Sequence, residues 1–317
     1  MLGAGVGVLL ASKFIARFGN QPWFFRLRRR AWSWLLYPLL ISRPCLAADR
    51  TRLNRAKREL LTTLLSEFVA ANTSLVVVGA HRFGQDATDP WGAPALNRAW
   101  GRVLLVEANP LLAADLTLRR GSLMSRVPAA RMVIRNVGVC PNASQGGSEL
   151  PFYTLAGERL PAIASQMSSF SRATAEKGLA QLVAGAPVLQ TKSWHLASTP
   201  VRCNTLAAEL ANHVDMPPPA MLMIDTEGLD CAIVASIDWC SMRPALLVYE
   251  HKHCAEAQAL AAAAALSRCS CSEVLREAEN VYFTCSGGRG QKGCGRSALP
   301  AHTAHTRRVG AKERPRP

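Results

Sequence analysis

Asp225 and Glu227 stand two positions apart at the end of an apolar run, Met221-Leu222-Met223-Ile224, with Gly228 and Asp230 just after them. A second apolar run, Leu246 to Tyr249, ends in Glu250 and His251, 25 positions after Asp225. Paired carboxylates can hold a hydroxyl, take its proton or bind a divalent cation, and a histidine beside them can act as a base near neutral pH. Asp225, Glu227 and His251 are therefore the candidate catalytic residues. The competing structural role is capping, with Asp225 or Asp230 opening the next helix. Upstream, the run Ser74–Val78 ends in Gly79-Ala80, and Val103–Val106 ends in Glu107. A glycine there lets a ligand approach the backbone, and an acid on the adjacent strand can accept hydrogen bonds from both hydroxyls of a ribose. Together they argue for a nucleoside-bearing cofactor.

These groups need a frame that brings strand ends together. Leu60, Leu61, Leu64, Leu65, Phe68 and Val69 recur at spacings of three and four, which predicts a helix over residues 54–71. Strands are predicted at 74–78, 103–106, 132–139, 221–225 and 246–250. A short extended piece is expected at 149–153. Helices are predicted at 110–118, within 165–184, at 205–213 and at 256–266, and 187–199 reads as loop or an edge hairpin. The runs 271–275 and 281–285 are joined by five residues, so they are antiparallel neighbours. Strands alternating with helices imply a mostly parallel sheet covered on both faces, with a C-terminal antiparallel hairpin. In such sheets ligands bind beyond the carboxyl ends of the strands. The serine run Ser168-Ser169 and Ser171 around Phe170 is a candidate lid or a helix cap.

The net charge of +15 is unevenly placed. Seven of these charges lie in residues 1–48, which hold no acid, and seven in residues 287–317, leaving the middle nearly neutral. This does not support a nucleic-acid surface on the core, and no nucleic-acid partner is expected. Residues 1–48 combine a basic cluster, Arg28-Arg29-Arg30, with the short apolar run 31–42. That pattern fits a targeting or membrane-anchor segment, by a secretory or endomembrane route or to an organelle. The domain organisation expected is this segment, a domain over 49–286, and a basic disordered tail over 287–317. The ten cysteines contain no CxxC pair, so a structural zinc site is not indicated and they read as scattered thiols. Disulfides are the alternative for a secreted chain.

An ordered set of segments resembles the FkbM-type methyltransferase family. It comprises Gly79-Ala80, Asp89-Pro90, Trp100-Gly101, Val103 to Glu107, Asn109-Pro110, Arg135-Asn136-Val137-Gly138-Val139, Gln166 to Phe170, Val201 to Leu210, Ile224 to Asp230, and Arg243-Pro244 through Tyr249-Glu250-His251, across residues 58–285. The resemblance implies a class I methyltransferase fold: a Rossmann-like, mostly parallel seven-stranded sheet with a C-terminal antiparallel hairpin and helices on both faces. It implies S-adenosyl-L-methionine as cofactor and O-methylation of a hydroxyl on a sugar, glycan or other small metabolite. By similarity Gly79 and Ala80 line the methionine end, Glu107 holds the ribose, Asn136 and Val137 lie near the adenine, and Asp225 lies near the transferred methyl. No metal is required. The chain departs from the family at His81-Arg82-Phe83, where an Asn-Asp-Gly-like turn is usual; Gly84 is then the candidate for the glycine's role. Two alternatives follow: a non-catalytic protein of the same fold with a degraded cofactor loop, and a metal-dependent glycosyltransferase using Asp225 and Glu227.

Overall fold

The computed structural model describes residues 47–84, 91–123, 131–142, 147–158, 160–185, 193–213 and 215–285. Residues 1–46 and the basic tail 287–317 lie outside these, so the anchor and tail expectations are not addressed. Among the described residues no helix is long and apolar enough to cross a membrane.

The core is a seven-stranded sheet. Its strands are β1 (Ser74–Val78), β2 (Arg102–Glu107), β3 (Met132–Asn136), β7 (Met221–Ile224), β8 (Leu246–Glu250), β9 (Cys271–Arg276) and β10 (Asn280–Cys285). Their spatial order is β3-β2-β1-β7-β8-β10-β9. All pairs are parallel except those made by β10, which runs antiparallel to β8 and β9. This is the expected class I methyltransferase fold. β1 and its neighbours are buried on both faces, which is why their sequences are continuous apolar runs. Successive side chains alternate between two cores. Val76, Val78, Leu104, Val106, Leu222, Ile224 and Leu247 pack on one face. Leu75, Val77, Val103, Leu105, Met221, Met223 and Leu246 pack on the other.

Helix α1 (Ala47–Phe68) lays Leu61, Leu64 and Leu65 onto the second face. It starts two residues before the expected domain boundary at 49. Two helices flank β2: α2 (Gly92–Leu96) before it and α3 (Pro110–Leu123) after it. The expected third strand, 132–139, is two strands in different sheets. β3 stops at Asn136, and β4 (Gly138–Val139) leaves to pair in parallel with β6 (His195–Asn204), which also pairs antiparallel with β5 (Ser148–Ala156). β5 is longer than the extended piece predicted there, and β6 occupies part of the stretch read as loop or an edge hairpin. A 3-10 turn (Ala162–Met167) and α4 (Arg172–Gly185) connect β5 to β6. The chain returns through α5 (Leu206–Ala211), capped by the Thr205 hydroxyl, to β7. Helices α6 (Asp230–Ser236) and α7 (Trp239–Met242) precede β8, and α8 (Glu256–Arg268) follows it.

Disulfides join Cys140 to Cys203, Cys231 to Cys254, Cys240 to Cys269 and Cys271 to Cys285. This corrects the reading of scattered thiols. The pairs sit on neighbouring elements that only the folded sheet brings together, so their spacing in sequence carries no signal. Cys45 and Cys294 lie outside the described residues.

Glu209 on α5 is fully buried and is the centre of a polar cluster. Arg135 Nε donates to it at 2.6 Å and Asn204 Nδ2 at 2.9 Å, and His213 Nε2 lies 3.4 Å away. Burial alone raises its carboxyl, but Asn204, Arg135 and His213 together hold it below the ordinary value. Glu209→Ala leaves the buried Asn204 amide without its acceptor and is expected to cost about 2–3 kcal/mol in urea unfolding at pH 7. The difference from wild type should shrink as pH falls through the lowered carboxyl value, because the stability of an ionised, hydrogen-bonded carboxylate is lost there. An unchanged midpoint at pH 7 would contradict this role.

Candidate active site

β1 lies between β2 and β7, so the chain leaves the sheet in opposite directions at the ends of β1 and β7, and a crevice opens there. It is a cleft of about 410 Å³, within the usual range for a small-ligand site. Its rim is built from four strand ends: β1 with Gly79, β2 with Glu107, β7 with Asp225 and β8 with Glu250.

Gly79 is required by close approach. Its φ is +77°, and a Cβ there would lie 1.7 Å from the carbonyl oxygen of Asp225. The contact exists because β1 and β7 stay paired to their ends, where Asp225 N donates to Val78 O. Ala80 and Val137 also line the cleft. Gly84 does not line it. Its φ of +72° and the Leu96 side chain against it give it a turn and packing role, so the structure corrects its assignment to the cofactor. Asn136 is exposed and also absent from the lining. It donates from Nδ2 to the carbonyls of Glu107 and Ala108, and so fixes the end of β2 instead.

The departing loop is well packed. His81 adopts a φ of +45°, and its backbone N–H donates to Glu107 Oε2 at 2.6 Å. Its ring Nε2 meets Ser165 Oγ at 2.9 Å. Phe83 is only 5% exposed and belongs to the core that contains Ala95 and Trp100. The cleft beside it stays open. Arg82 lines the cleft, and its Nε is buried without a hydrogen-bond partner.

Glu107 is buried, and burial pushes its carboxyl up to about 7, against the backbone hydrogen bonds of Asn109 and His81. Asn109 N donates to Oε1 and His81 N to Oε2. An ionised carboxylate offers about four acceptor positions, and the backbone donors of Asn109, His81 and Ala108 leave acceptor capacity unspent.

The β7 exit is a shaped loop. Asp230 is buried and accepts from Thr226 N at 2.7 Å and Gly228 N at 3.1 Å. It is the organiser of the loop at the start of α6. Glu227 sits at a φ of +54°, an uncommon backbone for a residue with a side chain. Ser169 Oγ donates to its carbonyl. The segment read as a lid or a helix cap forms a wall of the cleft, and Ser171 Oγ accepts from Thr174 N in the first turn of α4. Ser169 is fully buried and exchanges backbone hydrogen bonds with Tyr153, and Ser168 and Phe170 line the cleft.

Asp225 is exposed to the cleft. Its carboxyl is raised well above the ordinary value by lost solvation on the protein side, then by the charges of Glu250, Glu227 and Asp230. Glu250 is raised to about 7 by burial and by Glu227, with Lys252 opposing. Lys252 pairs with Glu250 Oε1, and its ammonium is held above the ordinary value by the carboxylates despite burial. His253 Nε2 lies 3.2 Å from Glu227 Oε2 and 3.7 Å from Glu250 Oε2. Its imidazole is raised, first by the hydrogen bond to Glu227.

His251 does not join this group. Its ring Nε2 meets the carbonyl of Glu277 at 2.8 Å, and its backbone N–H donates to Glu279 O. Side chains alternate along a strand. Glu250 faces the cleft, so the next residue turns toward the β9–β10 hairpin, and the chain returns at Lys252 and His253. Glu250 is marked in the sequence only as the acid ending its run, and Lys252, His253 and Arg82 carry no sequence-based role in the site. Strand parity signals Lys252 alongside Glu250, whereas His253 is brought in by the turn that Cys254 N closes on His251 O.

The model of the methyltransferase FkbM domain matches residues 78–273. A crystal structure of methyltransferase FkbM from Methylobacillus flagellatus KT is similar at 14% identity, over 70% of this chain and 47% of that one, with a TM-score of 0.40. The chain thus spans about half the length of that protein. Among curated proteins none matches the sequence.

Proposed function

The chain belongs to the FkbM methyltransferase family, and from that premise we propose that it transfers a methyl group from S-adenosyl-L-methionine to a hydroxyl oxygen of a sugar, glycan or other small metabolite. The observation that carries the reading is Glu107: a buried carboxylate with unspent acceptor positions, facing Gly79 and Ala80 across the crevice. Such a group suits the two vicinal hydroxyls of a ribose. Val137 lies beside the same wall and suits the adenine, and Gly79 and Ala80 suit the methionine end. The buried Nε of Arg82 supports a charge-assisted contact to the cofactor's carboxylate. When bound, the cofactor supplies a methyl group on a sulfonium, whose bonding electron pair stays with sulfur as the acceptor oxygen displaces it.

The chain's own residues then do three things. The walls align the acceptor oxygen with the methyl, which is the largest contribution open to the protein in such a displacement. Asp225 takes the hydroxyl proton; its raised value makes it a stronger base than an ordinary aspartate. Glu227 and Glu250, with Lys252 and His253, fix the polar face against which the acceptor is oriented. Trp91, Lys57 and Asn280 add an aromatic and polar stretch of lining that suits a hydroxyl-rich acceptor. The four disulfides support maturation in an oxidising compartment.

Calorimetry with the full chain tests this directly. The ionised form of Glu107 accepts from the ribose, so affinity should rise with pH through about 7, and binding at pH 6 should be about tenfold weaker than at pH 8. Glu107→Gln should abolish that slope and weaken binding throughout. Stability of the unliganded chain runs the other way. A carboxyl raised in the folded state favours folding at low pH, and that benefit is lost as pH rises from about 4.5 through about 7. Absence of binding by the folded chain, or a pH-independent affinity, would sink the Glu107 assignment.

A further inference from the structure

We propose that Glu227, Glu250 and His253 form a binding site for a divalent cation of the manganese type, which holds oxygen atoms of the acceptor in the cleft. The three residues offer ligand atoms that all lie within 4.8 Å of one another. His253 Nε2 is 3.2 Å from Glu227 Oε2 and 3.7 Å from Glu250 Oε2. Two ligands each about 2.1 Å from a metal sit about 3.0 Å apart at a right angle and about 3.4 Å apart at a tetrahedral angle. The 3.2 Å separation lies inside that range and the 3.7 Å separation just above it, so a cation can enter between them with small side-chain movements.

A second observation points to a ligand. Glu250 is 4% exposed, and its Oε2 is buried without a hydrogen-bond partner. Lys252 is spent on the other oxygen, Oε1. This oxygen, 3.7 Å from His253 Nε2 and without a hydrogen bond, faces the position where the cation would lie. Ser168, in the same lining, also presents a buried Oγ without a partner. Unsatisfied buried acceptors are uncommon and costly, and two in one cleft indicate that something polar completes it.

The ligand set narrows the metal. One imidazole nitrogen and two carboxylate oxygens are a poor match for magnesium and calcium, which prefer oxygen throughout, and the absence of thiolate removes the softest metals. Manganese accepts the mixture at six-coordination, leaving up to three positions for water or for acceptor oxygens such as a vicinal diol. The other grouping of ligand types, Asp238 with Cys240 and Cys269, offers no equivalent because its cysteines are bonded to each other. The Cys231–Cys254 bridge holds the three ligands in register, since it joins the residue after Asp230 to the residue after His253.

The inference rests on the methyl-transfer reading only for what the cation holds, and its test separates the two. The full chain, stripped with chelator, is titrated with manganese chloride while the signal of hydrated manganese is followed by electron paramagnetic resonance. One ion per chain is expected to bind. His253→Ala and Glu227→Gln should each weaken it at least about tenfold, with S-adenosyl-L-methionine affinity by calorimetry changed less than about threefold. If Lys252 and protonated His253 are all that neutralise these carboxylates, the chain will bind the cofactor and no manganese, which overturns the proposal. Manganese binding that survives both substitutions also overturns it. A chain that binds manganese at these residues but no cofactor upholds the site and overturns the methyl-transfer reading instead.

Discussion

Asp225→Asn is expected to lower the rate of methyl transfer by about 10³-fold, in the range measured for loss of a positioned general base. The substitution keeps shape and removes the proton acceptor. Asp225 is open to the cleft at the end of β7, and its backbone N–H remains bonded to Val78, so the strand end does not move. Three carboxylates lie near enough to raise it: Glu250, Glu227 and Asp230. Removing one negative charge from that group relieves repulsion, so the variant should be at least as stable as wild type to heat. Cofactor affinity by calorimetry should change less than tenfold. Single-turnover methyl transfer to the acceptor measures the rate. A variant that turns over normally removes Asp225 as the base. One that loses cofactor binding outright makes it a binding group instead.

Removing the bridge between Cys231 and Cys254 by double substitution to alanine is expected to cost about 3 kcal/mol, from the loop entropy of a closed loop of this length. The sequence separation is 23. For a domain of this size that corresponds to a fall in melting temperature of roughly 6–12 °C. The bridge also fixes where α6 begins relative to the segment after β8, so activity should fall at temperatures where the variant is still folded. Thermal unfolding by circular dichroism and an assay at 20 °C separate the two effects. A melting temperature within 2 °C of wild type would show that packing between α6 and α8 holds the site without the bridge.

The sheet was legible because its strands are buried on both faces, and full burial writes itself as runs such as Ser74–Val78 and Leu246–Glu250. The acids at the strand ends were legible for the same reason, since each interrupts an apolar run. What was missed has both local and long-range causes. His251 follows the strand directly, yet alternation sends it to the hairpin, and it is the turn after β8, closed by Cys254 N to His251 O, that brings His253 to Glu227. The split of 132–139 was hidden because Val137 and Val139 remain buried after the chain has changed sheets, so the apolar pattern continues across the break. Gly84 was read from the family's glycine pattern, but its space is filled by Leu96, ten or more positions downstream, which no local pattern reports. The disulfides depend on pairings from 14 to 63 residues apart and on the finished topology.

The covalent bridges are distributed unequally about the crevice. Among the described residues three of the four close within residues 231–285, around β8, β9, β10 and the helices between them, and β1, β2 and β3 carry no cysteine. The molecule is therefore a clamp with one stapled jaw. The half that presents Glu250 and His253 resists local opening, and the half that presents Gly79 and Glu107 is held by packing and hydrogen bonds alone. Local unfolding draws on the least constrained unit first, so amide exchange is expected to be faster in the Gly79–Glu107 jaw than in the stapled one. A ligand seated between the jaws would supply to that side the restraint that the other already has from sulfur.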